Sequence, residues 1–283
     1  MRAAITLCLA CVLAARAVSG QEIPQRDVHI NFEGNKAVPG ERLLEVADEC
    51  LGKFPRQRRR LPDEIDYCLK QVQFFLACQG YLRAKVGQPR ARAETADGVK
   101  VTVPVEEGAR YRLGKVTIEG ARLFPPGYIL AMLDLKTGDV AGSGAILEWL
   151  DKRVERAYAE VGHIQYAADP EPYYYPVSPE TGEGVVDFKV DISEGRRFVV
   201  RRIEFVGNRR TPEQTLRDAM LLKGGEPFNR ALHEEGVRNL NRLGLFEEID
   251  PDSDVEYKGV NRKPPERGGL LDLIFHLKEK ARP

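Results

Sequence analysis

Ile203-Glu204-Phe205-Val206-Gly207-Asn208 reads as a strand that stops on a glycine turn. It begins with apolar and polar residues in alternation, the period of a half-buried strand. Gly-Asn after it supplies a positive-φ turn at low cost. The same pattern stands twice upstream, as Val28-His29-Ile30-Asn31-Phe32-Glu33-Gly34-Asn35 and as Val116-Thr117-Ile118-Glu119-Gly120-Ala121. The glycines at 34, 120 and 207 are 86 and 87 residues apart.

Two further landmarks keep nearly that period. Gly80-Tyr81, Gly162-His163 and Gly244-Leu245 are spaced 82 and 82, each after a helical pattern. Glycine is the common residue just past a helix, because it enters the left-handed region without a Cβ penalty. Glu107-Gly108 and Glu194-Gly195 lie 87 apart. Each closes an alternating strand: Val99, Val101, Val103, Val105 in one, Val186, Phe188, Val190, Ile192 in the other. A third such strand, Leu271, Leu273, Phe275, Leu277, ends at Glu279.

Helical spacing fills the interval between the first two landmarks. Unit one offers Leu43 to Ala47 and Ile65 to Leu76, the latter after Pro62; unit two offers Tyr128 to Leu133 and Ala145 to Val161. In unit three, Thr211-Pro212 reads as an N-cap with proline at N1, before Leu216 to Leu221 and Leu232 to Leu243. Each unit is therefore strand, helix, helix, strand, strand. The expected fold is α+β, three tandem two-layer βααββ modules, each a three-stranded mixed sheet with two helices on one face. The modules are expected at 26–108, 109–195 and 196–280.

Composition agrees with folded modules. The chain has 283 residues, of which 42% are apolar. Its 43 basic and 43 acidic residues cancel, which argues against a nucleic-acid binder. Residues 1–20 read as a secretory signal peptide: Arg2, then 13 uncharged residues from Ala3 to Ala15, then Ala17-Val18-Ser19-Gly20. Cleavage is expected after Gly20, with Ala17 as the alternative. An uncleaved anchor is the competing reading, although that apolar run is short for a bilayer.

Cys50, Cys68 and Cys78 remain beyond the leader. Cys68 and Cys78 lie on one predicted helix, about 15 Å apart by helical rise, too far for a disulfide. Antiparallel helices would bring Cys50 to Cys68, so this is the expected pair in an oxidising compartment, with three buried thiols as the alternative.

The strand–Gly-Asn start, the helix ending in Gly-Tyr and the Val-x-Val-x-Val-x-Glu-Gly finish resemble POTRA domains. These are periplasmic modules of outer-membrane assembly factors of the BamA type and of related secretion transporters. The resemblance runs from residue 28 to about 280. It is fullest in unit three, with Leu222-Lys223-Gly224-Gly225-Glu226-Pro227-Phe228 and Leu240-Asn241-Arg242-Leu243-Gly244-Leu245-Phe246. Unit two departs from it at Ala121 and His163, and carries an expected insertion from Ala168 to Glu183. Unit one has an inserted loop, Gly52 to Arg60. In the family a membrane barrel follows the last module. Residues 280–283 carry no such strands, so a barrel-free protein and a fragment both stay open.

The resemblance implies a non-enzymatic periplasmic scaffold, exported by its leader and held near the outer membrane. It would assist assembly and insertion of β-barrel proteins by strand addition and partner docking. Its partners would be unfolded outer-membrane proteins and assembly subunits, or a separate β-barrel. The alternatives are the soluble part of a polypeptide exporter and a structural envelope spacer. In the family topology the strand after Gly-Tyr lies at a sheet edge, where backbone groups are open to a partner strand. The candidate edges are Tyr81, Leu82, Arg83, Ala84, Lys85 and Val86; Ile164, Gln165, Tyr166 and Ala167; and Leu245, Phe246 and Ile249. Edge protection is the competing role for Arg83 and Lys85.

Tyr173, Tyr174 and Tyr175, set among prolines in the expected insertion, form a candidate contact loop. Packing back on unit two is the alternative. The arginines at 56, 58, 59 and 60 read as a solvated basic loop, with anionic lipid or an acidic partner as the sharper reading. No catalytic or metal-ligating set is evident. His29, His163, His233 and His276 have no metal spacing. The paired carboxylates Glu106-Glu107 and Glu247-Glu248 read as solvated charge. No cofactor, small-molecule substrate or nucleic acid is expected.

Overall fold

A computed structural model of the chain describes residues 27–54, 61–95, 98–260 and 268–280. The leader at 1–20 and the arginines at 56 and 58–60 lie outside these residues.

The first unit runs β1 (Asp27–Glu33), α1 (Gly40–Gly52), α2 (Leu61–Cys78), β2 (Lys85–Val86), β3 (Arg90–Thr95) and β4 (Gly98–Glu106). The second runs β5 (Arg110–Glu119), α3 (Pro126–Leu130), α4 (Ser143–Leu147), a π-helical stretch Glu148–Val154, α5 (Glu155–Ala159), β6 (Ala167–Tyr174) and β7 (Glu183–Ser193). The third runs β8 (Phe198–Val206), α6 (Glu213–Ala219), α7 (Arg230–Arg242), β9 (Val255–Val260) and β10 (Gly269–His276).

In every unit the last strand is central. It pairs parallel with the first strand and antiparallel with the middle one, giving β5-β7-β6 and β8-β10-β9. The first sheet corrects the expected strand count. Its middle strand is split at Gly87 into β2 and β3, both paired to β4, so it has four strands. Gly87 lies against Pro104, where a Cβ would sit 2.7 Å from the proline ring.

Three separate cores follow from the alternation. One gathers Ile30, Phe32, Leu43, Val72, Leu76 and Val103. The second centres on Trp149, whose Nε1 donates to the Ile129 carbonyl at 2.9 Å. The third gathers Phe198, Leu216, Phe228, Leu240 and Phe275. Cys50 and Cys68 are disulfide-bonded, with Cα atoms 5.6 Å apart and a sequence separation of 18. Closing a loop of that length contributes about 3 kcal/mol through the unfolded chain. α7 starts at Asn229, whose side chain accepts from the Leu232 N–H at 3.0 Å. α6 starts one residue later than expected, with Pro212 in the capping place. The Thr211 N–H is taken by Glu279 instead.

One tie recurs in all three units. Gly34, Gly120 and Gly207 have φ of 95°, 78° and 102°. A Cβ on them would sit 2.6, 2.2 and 2.0 Å from the carbonyl oxygens of Val105, Ile192 and Leu277. Only glycine relieves both the positive φ and the close approach. Two residues past each of those carbonyls is a glutamate that takes up the N–H groups of the turn after the glycine. Glu107 accepts from Lys36, Ala37 and Val38 at 3.0, 2.8 and 2.8 Å. Glu194 accepts from Arg122 and Leu123, both at 2.7 Å, and from the Tyr158 hydroxyl at 2.9 Å. Glu279 accepts from the Arg210 and Thr211 amides at 3.0 and 2.8 Å, and from Arg210 Nε at 3.0 Å.

This corrects the reading of Glu107 as solvated charge, for it is 7% exposed. Desolvation pushes Glu279 up, yet the Arg210 guanidinium and the two amides outweigh it and bring its pKa down to about 2. For Glu194 too, burial raises the pKa, and the amides with Tyr158 and His163 leave it lowered.

The units are also joined in one repeated way. The Tyr111 N–H donates to the Gly80 carbonyl at 2.9 Å, and the Phe198 N–H to the Gly162 carbonyl at 2.8 Å. The preceding arginines follow suit, Arg110 Nε to Gln79 O at 3.0 Å and Arg197 Nε to Val161 O at 3.2 Å. Leu82 packs on the second core and Ile164 on the third. Arg156 pairs with Glu234 at 2.9 Å across the second joint.

Candidate strand-docking edges

The structure moves each candidate edge towards the C-terminus. Tyr81 to Ala84 form a turn closed by the Ala84 N–H on the Tyr81 carbonyl at 3.0 Å, and only Lys85 and Val86 enter β2. Ile164, Gln165 and Tyr166 precede β6, which takes only Ala167 from the expected set. Leu245, Phe246 and Ile249 all lie before β9. Phe246 bridges to Glu279 and is buried, as is Ile249. The Asn241 side chain clamps the Ile249 backbone, donating to its carbonyl and accepting from its N–H, both at 2.9 Å. The cause is local. The glycine cap is followed by a turn, and extension begins only after it.

The tyrosine loop is corrected as well. Tyr173 and Tyr174 belong to β6, so the first part of the expected insertion, up to Tyr174, is the edge strand itself. Tyr174 packs edge-on against Tyr111, with ring centroids 4.9 Å apart, and carries Arg83 over its face at 5.5 Å. It therefore helps join the first two units. Tyr173 is 64% exposed and meets Tyr175 edge-on at 5.0 Å. The Tyr175 hydroxyl donates to Asp187 at 3.0 Å.

The backbone parity of the edges decides what they can bind. The Tyr175 N–H donates to Val185, so odd-numbered residues of β6 face β7 and even-numbered ones face outwards. Pro170 and Pro172 both fall on the outward set. They leave only Ala168 and Tyr174 as outward donors on that strand. Proline is tolerated on an edge strand in this orientation, and it blunts the edge. On β9 the His276 N–H donates to the Asp254 carbonyl, so Val255, Tyr257 and Gly259 face outwards. All three carry an N–H, and no described hydrogen bond uses their outward groups. On β3 the pairing shifts by a bulge between Ala91 and Ala93.

Charge is placed on these sheets with partners. Asp272, on the central strand β10, is fully buried and accepts from Arg201 Nε at 2.7 Å and Arg202 Nε at 3.1 Å. The Arg201 bond, against desolvation, leads in holding its pKa down. His233 is buried against Phe228 and Phe275, and burial lowers its pKa. Among the described residues no cluster of histidine, cysteine and carboxylate has the makings of a metal site, and no helix is long and apolar enough to cross a membrane.

What this architecture defines is a class: tandem α+β modules joined end to end, with open sheet edges along the array. The third module, residues 198–280, matches the POTRA model described as a surface antigen variable number repeat. The crystal structure of Haemophilus influenzae BamA POTRA3-5 superposes with a TM-score of 0.67 at 20% identity, covering 90% of this chain and 96% of that one. The chain is 26% identical over 257 residues to a putative outer membrane protein assembly factor of Treponema pallidum, covering 89% of this chain and 29% of that one. It is 24% identical over 266 residues to the outer membrane protein assembly factor BamA of Neisseria meningitidis, covering 89% and 31%. Residues 198–280 thus match the POTRA model, the three-module fold is that of BamA POTRA3-5, and the chain spans under a third of the length of these curated relatives.

Proposed function

We propose that the chain is a periplasmic scaffold of three POTRA modules, with boundaries near 108 and 195, that assists assembly of outer-membrane β-barrel proteins. It would hold their unfolded strands by strand addition and would dock assembly subunits. The observation that supports this most is the open edge beside each central strand, combined with the likeness to assembly factors. An edge gives affinity through main-chain bonds with little demand on sequence, which suits many different clients. The candidate residues near the edges take supporting roles in this reading. Lys85 and Val86 open the first edge, Ala167 opens the second, and Phe246 and Ile249 anchor the turn that leads to the third.

The test is direct. The chain is mixed with a urea-denatured outer-membrane β-barrel protein on dilution, and client aggregation and binding are followed. Suppressed aggregation with saturable binding is the expected result. The same protection given to an unfolded all-helical protein, or none to the barrel protein, would overturn the reading.

A further inference from the structure

We infer that strand addition is confined by proline parity: β9 of the third module accepts a partner strand, and β6 of the second does not. The inference rests on the strand-addition reading above and names where it operates. β6 is the longer edge, running eight residues against six. Length alone would make it the better template. Yet two of its four outward positions are proline, at 170 and 172. A partner strand could receive bonds only from Ala168 and Tyr174, which lie at opposite ends of the strand. The middle of the edge offers carbonyls without donors, so an incoming strand leaves its own acceptors unpaired there. β9 has no proline, and Val255, Tyr257 and Gly259 present donor and acceptor at every second residue.

The side chains flanking β9 say what kind of strand fits. Val255 and Tyr257 turn towards the helical layer, where Tyr257 meets Phe228 and His233. Glu256 and Lys258 turn the other way and are exposed. Glu256 lies 3.7 Å from His276, and among the described residues Lys258 has no ion-pair partner. An added strand then meets an apolar face on one side and alternating charge on the other. The occupant is an extended amphipathic strand of a second polypeptide, apolar on alternate residues, with a basic residue beside Glu256 and an acidic one beside Lys258. Alternation of that kind is the signature of a barrel strand before it folds.

The pattern can be exchanged between the edges. Gly259→Pro, alone and with Tyr257→Pro, copies onto β9 the outward prolines of β6, and because those N–H groups lie outside the ladder the sheet keeps its bonds. Pro170→Val with Pro172→Thr opens β6. The probe is a soluble peptide of about ten residues, the length of a barrel strand, alternating valine or tyrosine with threonine, and bearing one lysine and one glutamate. Binding is measured by fluorescence anisotropy on the full chain. The account expects about a tenfold loss with the β9 prolines, as for two lost main-chain bonds, and a gain of similar size when β6 is opened. Tyr257→Phe controls for the side chain. Unchanged affinity in the folded Gly259→Pro variant together with no gain in the opened β6 variant would overturn the inference. The scaffold reading fails separately, if the wild-type chain does not protect a denatured barrel protein at all.

Discussion

The second and third modules are built on one frame and finished differently. Both tie the turn after the first strand to a glutamate past the last one, and both put the last strand at the centre of the sheet. Their outer strands differ in one respect that matters. β6 carries outward prolines and exposed tyrosine, whereas β9 carries a full row of donors and acceptors. The frame is set by backbone geometry that few residues satisfy. The edge is free to vary, because proline on an outward position costs the sheet no ladder bond. Shared fold and divergent edge chemistry therefore live on different atoms of the same module.

The frame can be broken first at its glycine. Gly120→Val places a side chain at φ 78° and 2.2 Å from the Ile192 carbonyl. Positive φ and overpacking together should cost about 4 kcal/mol. Trp149, buried in the same core, reports unfolding of this module by its fluorescence. An unchanged urea midpoint would remove the glycine from the frame.

The carboxylate comes next. Glu107→Ala leaves the amides of Lys36, Ala37 and Val38 without their acceptor in a partly buried turn. A loss of about 3 kcal/mol is expected, read from urea unfolding of the first module. Glu107→Gln, which keeps an oxygen acceptor, should recover part of it.

Acid sharpens the comparison between ties. Glu279 has its pKa lowered from 4.5 to about 2 in the folded chain. A lowered folded pKa means the stabilisation is complete above 4.5 and is lost as pH falls through about 2. The urea midpoint of the third module should fall across that window, and Glu279→Gln should flatten its dependence there. A flat wild-type profile would contradict the tie.

The smallest effect is a gain. Asn35 and Asn208 each donate from Nδ2 to the carbonyl three residues on, Val38 at 2.8 Å and Thr211 at 3.1 Å. The second module has Ala121 in that place. Ala121→Asn should add the missing bond to the Phe124 carbonyl and stabilise that module by about 0.5 kcal/mol, seen as a small rise in its urea midpoint.

These contrasts also explain what the sequence could and could not disclose. The glycines announced the modules because a positive φ leaves almost no other choice of residue. Cys50 and Cys68 were placed by helix geometry alone, and they are bonded. Glu107 was misread because a carboxylate at a strand end looks like solvated charge. The available signal was its recurrence as Glu194 and Glu279 at matching places in each unit. The edge strands were set too early because the pattern after Gly80, Gly162 and Gly244 does not mark the turn that delays extension. Pro170 and Pro172 suggested a loop, yet prolines two residues apart share one side of a strand and are compatible with an outer edge. Only the register with β7 reveals which side that is.

The modules share a frame and differ at their edges, and amide hydrogen exchange of the full chain saturated with the strand peptide probes both places in one experiment. The account predicts new protection at Val255, Tyr257 and Gly259, none at Ala168 or Tyr174, and no change at Lys36 to Val38. Protection appearing along β6 while β9 exchanges as before would contradict it.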